Sequence, residues 1–80
     1  MKSADLRVKA VVYLRTEVDR VLHRPHKLSF PAKVVAESAG GYAGTLGLVA
    51  NQVASDLQAI GIDCSYHRNR SPTLFVIDLP

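Results

Sequence analysis

The segment Thr45 to Ile62, TLGLVANQVASDLQAIGI, constrains the chain more tightly than any other. Leu46, Val49, Val53, Leu57 and Ile60 recur at steps of three and four residues, which sets them on one stripe of an α-helix. A stripe of that length has to be covered, so other elements must pack on it. The opposite face carries Gly47, Asn51, Gln52, Ser55 and Gln58, small or amide side chains that need no core and are free to make outward contacts. Both ends carry boundary signals. Thr45 is suited to the N-cap, where its hydroxyl accepts from an unpaired backbone N–H of the first turn. Gly61 suits the left-handed position just past the end, with Ile62 placed to turn back onto Leu57 in a Schellman motif. The spacing predicts a helix over about residues 46–60.

What precedes this segment reads as two further helices. Residues 4–24 show a main stripe of Val11, Leu14, Val18, Val21 and Leu22 extended by Val8, and a neighbouring stripe of Leu6, Ala10 and Tyr13. Ser3 is the predicted N-cap. Asp5 with Lys9, Arg15 with Asp19 and Asp19 with His23 are opposite charges at helical spacing, and Pro25 is the predicted stop. Leu28-Ser29-Phe30 reads as briefly extended. Ser29 is then expected to cap a second helix that runs to about Ala39, with an apolar face of Phe30, Val34, Val35 and Ser38/Ala39, and Gly40-Gly41 stop it. After Gly61 the period changes to two. Ile62, Cys64 and Tyr66 alternate with Asp63, Ser65 and His67, Asn69-Arg70-Ser71-Pro72 is turn chemistry, and Thr73 to Ile77 is a β-branched and aromatic run. A C-terminal hairpin over about residues 62–79 is predicted, within a single domain spanning residues 1–80.

Composition narrows the function. Hydrophobic residues make up 48% and charged residues 21% of the chain, a globular balance. The single cysteine rules out an internal disulfide framework and fits a reducing compartment. No apolar run approaches about 18 residues, so no membrane partner is expected, and a cytoplasmic protein is. The net charge of +3 is unevenly spread. Residues 1–33 carry a balance of +5, residues 34–66 contain no Lys or Arg and carry −3, and the remainder carries +1 through Arg68 and Arg70 against Asp78. The helix at residues 46–60 therefore lies inside an acidic block.

The order helix, helix, glycine-containing turn, helix and terminal hairpin with a basic tip resembles a winged helix-turn-helix domain over nearly the whole chain. The matching residues are Ala36 followed by Gly40, the ladder Leu46/Val49/Val53/Leu57/Ile60, and the passage from Leu57 to Ile62 into the hairpin. The resemblance implies an α+β fold of three helices followed by a β-hairpin wing. It also implies a small DNA-binding protein, a transcriptional regulator associated with the nucleoid or chromosome. In that family the third helix enters the major groove and the wing touches the backbone or minor groove. By position, Thr45, Gly47, Leu48, Asn51, Gln52 and Ser55 would face double-stranded DNA, and His67, Arg68, Asn69 and Arg70 would form the wing tip. Asn and Gln suit adenine, and Arg suits phosphate or a narrow minor groove. A homodimer paired through the first helix would span consecutive grooves.

The chain departs from that pattern in its charge. Phosphate attraction comes from Lys and Arg, yet the third helix has neither, and Asp56 adds a repulsive charge. Attraction must then come from residues 1–33 and from Arg68 and Arg70. The same uncharged helix supports an alternative, a winged-helix module that binds a protein partner in a replication, transcription or chromosome-associated complex, with Leu48, Ala50 and Ala54 as its apolar contact surface.

Other signals are weaker. The stretch from Gly41 to Gly47 lacks the Gly-Lys-Ser/Thr ending of a phosphate-binding loop and does not follow a strand. His23, His26, His67 and Cys64 lack zinc-site spacing, so no metal or other cofactor is expected. No nucleophile, base and orienting group are brought together by spacing, so neither catalytic residues nor an enzyme is expected.

Overall fold

The computed structural model describes residues 2–21 and 26–80. Its elements follow the order α1 (Ser3–Asp19), β1 (Lys27–Pro31), α2 (Ala32–Ser38), α3 (Ala43–Gly47), α4 (Ala50–Ala59), β2 (Asp63–His67) and β3 (Leu74–Asp78). The fold is α+β, with four helices against a three-stranded antiparallel sheet of order β1-β3-β2. Among the described residues, every buried hydrophobic side chain except Val76 belongs to one cluster.

α1 buries Leu6, Ala10, Leu14 and Val18, spaced by four residues throughout. This corrects the expected stripe, because Val8 is 62% exposed and Val11 is only partly covered. Apolar residues occupy so much of the α1 circumference that its periodicity fits two faces, and packing against α2 and α4 selects the Leu6/Ala10 side. Tyr13 meets Phe30 edge-on, with ring centroids 6.3 Å apart. Ser3 is the first helical residue and not the cap; Lys2 holds that position without a side-chain hydrogen bond. The helix ends at Asp19, where the Arg20 N–H turns back to the Thr16 and Glu17 carbonyls. The expected continuation through Leu22, with its His23 pair and its stop at Pro25, falls outside the described residues. Neither expected pair, Asp5 with Lys9 or Arg15 with Asp19, closes within 4 Å; instead Arg20, just past the end of α1, pairs with Glu17 at 3.3 Å.

The sheet has one strand more than the predicted hairpin. In β1, Leu28 and Phe30 lie opposite Ile77 and Phe75, and those pairs share the helix-facing side of the sheet with Cys64 and Tyr66. Ser29 is inside this strand, so it does not cap α2, which begins after Pro31. The Ala32 N–H to Thr73 carbonyl bond (2.9 Å) and the Leu79 N–H to His26 carbonyl bond (2.9 Å) extend the β1–β3 pairing at its two ends. On α2, Val35 and Ala36 are fully buried and Ala39 just after it is nearly so, while Val34 and Ser38 point outward, so the expected face holds at Val35 and Ala39 and fails at Val34.

The predicted third helix is broken. α3 ends at Gly47, and α4 starts after Val49, whose φ of −123° and ψ of 8° are not helical. The turn is tightened by Leu48 N–H to Thr45 and Val49 N–H to Leu46 carbonyl bonds of 3.2 and 3.0 Å, an i to i−3 spacing. Gly44 and Gly47 explain the break, since glycine is a poor helix former and α3 contains two in five residues. Thr45 therefore sits inside α3, and Tyr42 is the residue before it. The stripe survives the break, because Leu46, Val49, Val53 and Leu57 are all buried, whereas Ile60 is 49% exposed.

Both long-range helix exits use glycine at positive φ. Gly61 (φ 84°) ends α4, with Ile62 N–H to Leu57 and Gly61 N–H to Gln58 carbonyl bonds of 2.9 and 3.0 Å, the Schellman pattern expected from the sequence. Gly40 (φ 84°) ends α2 in the same way, through Gly41 N–H to Ala36 and Gly40 N–H to Glu37.

Candidate nucleic-acid interface

α4 is fixed on both flanks by polar contacts that leave its outer face uncovered. On the α1 side, the Arg7 guanidinium donates twice to Asp56, from Nε to Oδ2 at 2.7 Å and from Nη2 to Oδ1 at 2.8 Å. On the sheet side, Gln58 Nε2 donates to the Cys64 carbonyl at 2.7 Å. On and between these flanks Asn51, Gln52 and Ser55 are exposed, as the sequence pattern predicts. Gln52 shares the α1 flank with Asp56, one turn later, and borders a groove with Arg7, Val8 and Leu48. Asn51 shares the sheet flank with Gln58.

β2 runs antiparallel to α4. Gln58, near the end of α4, touches Cys64 at the start of the strand, while Gly47, before α4 begins, lies beside Tyr66 further along it. A Cβ built on Gly47 would be 3.9 Å from the Tyr66 hydroxyl, an ordinary contact, so this glycine is not needed for a close approach. The direction of β2 carries the connection to β3 toward the end of α4 that bears Asn51 and Gln52. Arg68, Asn69 and Arg70 are exposed in that connection, and the Thr73 hydroxyl donates to the Arg68 carbonyl at 3.4 Å. Among the described residues, neither Arg68 nor Arg70 is in an ion pair. His67 is half-buried, with Nε2 3.0 Å from the Ser65 hydroxyl, and Thr45 is half-buried in α3. The ten residues singled out in the sequence thus fall into an α3–α4 group and a β2–β3 group; Asn51 and Gln52 are at the end of α4 toward which β2 runs, and Ser55 is near the middle of the helix.

Two assignments change. Asp56 is not a free repulsive charge on α4, because Arg7 lies against it. The Arg7 hydrogen bonds hold its carboxyl below the usual carboxylate range, with partial burial opposing and the charge attraction adding less. The Arg7 pKa is raised by the same bonds. A depressed carboxylate pKa stabilises the fold above the ordinary carboxylate range and loses that contribution as pH falls through the folded value, so this tie between α1 and α4 is present at neutral pH and lost in acid. Sequence spacing gives no hint of the pair, since its members are 49 positions apart. Second, Ala50 and Ala54 belong to the core, at 0% and 6% exposure, so of the three residues expected to form an apolar contact surface only Leu48 is outside, at 78%.

Cys64 is buried on the core side of β2 and His67 lies on the other face of that strand, so they cannot converge on one ion. His23 lies outside the described residues. Burial pushes the Cys64 thiol up to about 12, with a smaller contribution from the Asp63 charge. At about pH 8 the folded protein is expected to resist a disulfide-exchange reagent and to be labelled once urea unfolds it. Rapid labelling without denaturant would contradict the buried position.

No helix among the described residues is long and apolar enough to cross a membrane. Comparison with protein-family models, with curated proteins and with solved structures returns no match.

Proposed function

We propose that the chain is a winged-helix DNA-binding protein, a chromosome-associated transcriptional regulator. α4 enters the major groove, and the β2–β3 hairpin acts as the wing on the flanking backbone or minor groove. The observation that supports this reading is the antiparallel run of β2 against α4, which directs the exposed Arg68-Asn69-Arg70 connection toward the end of α4 that bears exposed Asn51 and Gln52, with Ser55 exposed one turn further along. The strand order β1-β3-β2 and the helix order are compatible with a winged helix. The Arg7 contact supports it further, since it offsets the one acid on α4. Amide side chains on a groove-facing helix discriminate bases, and arginines at the wing supply the phosphate attraction.

Titration of a labelled duplex at several salt concentrations tests the reading. Binding that strengthens as salt is lowered is the expected result. Absence of binding at low salt would remove it.

A second reading, a module that docks on a protein, rests on Tyr42 and Leu48, which flank α3 at 79% and 78% exposure. Aromatic and aliphatic side chains held outward at this level suit a protein contact more than a phosphate backbone. Replacing Tyr42 alone by serine separates the two: DNA affinity stays unchanged under the first reading, and partner capture is weakened under the second.

A further inference from the structure

α1 keeps Val8 and Val12 out of the core, 62% and 60% exposed and one turn apart. Ile60 adds a 49% exposed side chain beside them, across the groove that α1 forms with α4. Three positions before Val8 is Asp5, and three positions after Val12 is Arg15; both are exposed, and among the described residues neither is in an ion pair. From Asp5 to Arg15 the outer face of α1 therefore reads acid, apolar, apolar, base along the chain, with exposed Asp19 one turn beyond. Reversed, that segment is its own complement.

We infer that this face pairs with a second copy of the chain, α1 against α1 in antiparallel orientation, about a two-fold axis level with Ala10. That axis sets Val8 on Val12 of the partner subunit and Asp5 beside Arg15 of the partner subunit, each contact occurring twice, as an isologous interface requires. Charge selects the register. An axis level with Val12 would oppose Asp5 to Asp19 and Lys9 to Arg15, like against like, and a parallel arrangement would set each charge against its own copy. The Arg7–Asp56 pair holds α4 to the inner side of the groove, so Ile60 joins the covered surface. Asn51, Ser55 and the Arg68–Arg70 connection line neither of the grooves that hold Val8, whereas Gln52 borders one of them. Pairing through the first helix is what the winged-helix resemblance implies; its antiparallel orientation and register rest on the α1 face alone and do not depend on the DNA reading.

Sedimentation velocity of the full chain without DNA tests the inference. A monomer–dimer equilibrium is expected, abolished by Val8→Asp and weakened roughly tenfold or more by Arg15→Glu, which turns both cross-pairs repulsive. Combining Asp5→Lys with Arg15→Glu in one chain is expected to restore association, because the complementarity returns with its signs exchanged. All three substituted positions are exposed, and unchanged far-UV circular dichroism checks that each variant is folded. A monomer at every concentration, or a dimer indifferent to Arg15→Glu, would overturn the proposal. Either result leaves the DNA titration to decide the function separately.

Discussion

Replacing Phe75 with alanine is expected to be the most destabilising single change in the molecule, costing about 3–5 kcal/mol. Phe75 is fully buried in the central strand, opposite Phe30 on one side and Tyr66 on the other, with the Tyr66 ring centroid 5.0 Å away. Its ring is where β1, β2 and the helices meet, so truncation opens a cavity that no single neighbour can fill. A domain of this size has a total stability of only about 4–12 kcal/mol, so the variant should sit near its unfolding threshold at room temperature. Urea denaturation followed by circular dichroism measures it. Val34→Ala, at a position 43% exposed on α2, is the control and should shift the midpoint little. Equal shifts in the two variants would contradict the placement of the core.

Replacing Arg68 and Arg70 together with alanine is expected to reduce DNA affinity strongly and to change the slope of log affinity against log salt by about 1.8, the value for two phosphate contacts. Both residues are exposed and neither is in an ion pair among the described residues, so thermal stability should hardly change. The pairing of weakened binding with unchanged stability separates a DNA-contacting role from a structural one. An unchanged slope would mean that the hairpin tip does not touch phosphate.

Sequence patterning reached the hairpin because its cues are local. Alternation through Cys64, Ser65, Tyr66 and His67 and the turn residues after it need no tertiary information, and Gly61 announced the α4 exit that its backbone bonds complete. β1 was half legible: Leu28 and Phe30 alternate, but Ser29 and Pro31 favour a cap and a helix start, and only pairing with β3 decides for a strand. The break at Leu48-Val49 was hidden because a tightened turn keeps Leu46 and Val49 on the same buried stripe as Val53 and Leu57. α1 was legible as a helix but not in its rotation, since Val8 and Val12 are as apolar as the residues it buries. At the candidate interface, the outward setting of Asn51, Gln52 and Ser55 follows from helical periodicity. The Arg7–Asp56 and Gln58–Cys64 contacts follow from the tertiary approach of distant segments, and they decide how α4 is held and whether its acid repels.

The central claim is that α4 and the β2–β3 connection act together as one DNA-binding surface. Amide chemical-shift mapping of the isotope-labelled protein during addition of a duplex tests it most directly. The account predicts that the largest changes fall on Gly47, Asn51, Gln52 and Ser55 and on residues 67–70, with Val8 and Val12 unaffected. Changes confined to Tyr42 and Leu48, or to α1, or none at all, would contradict it.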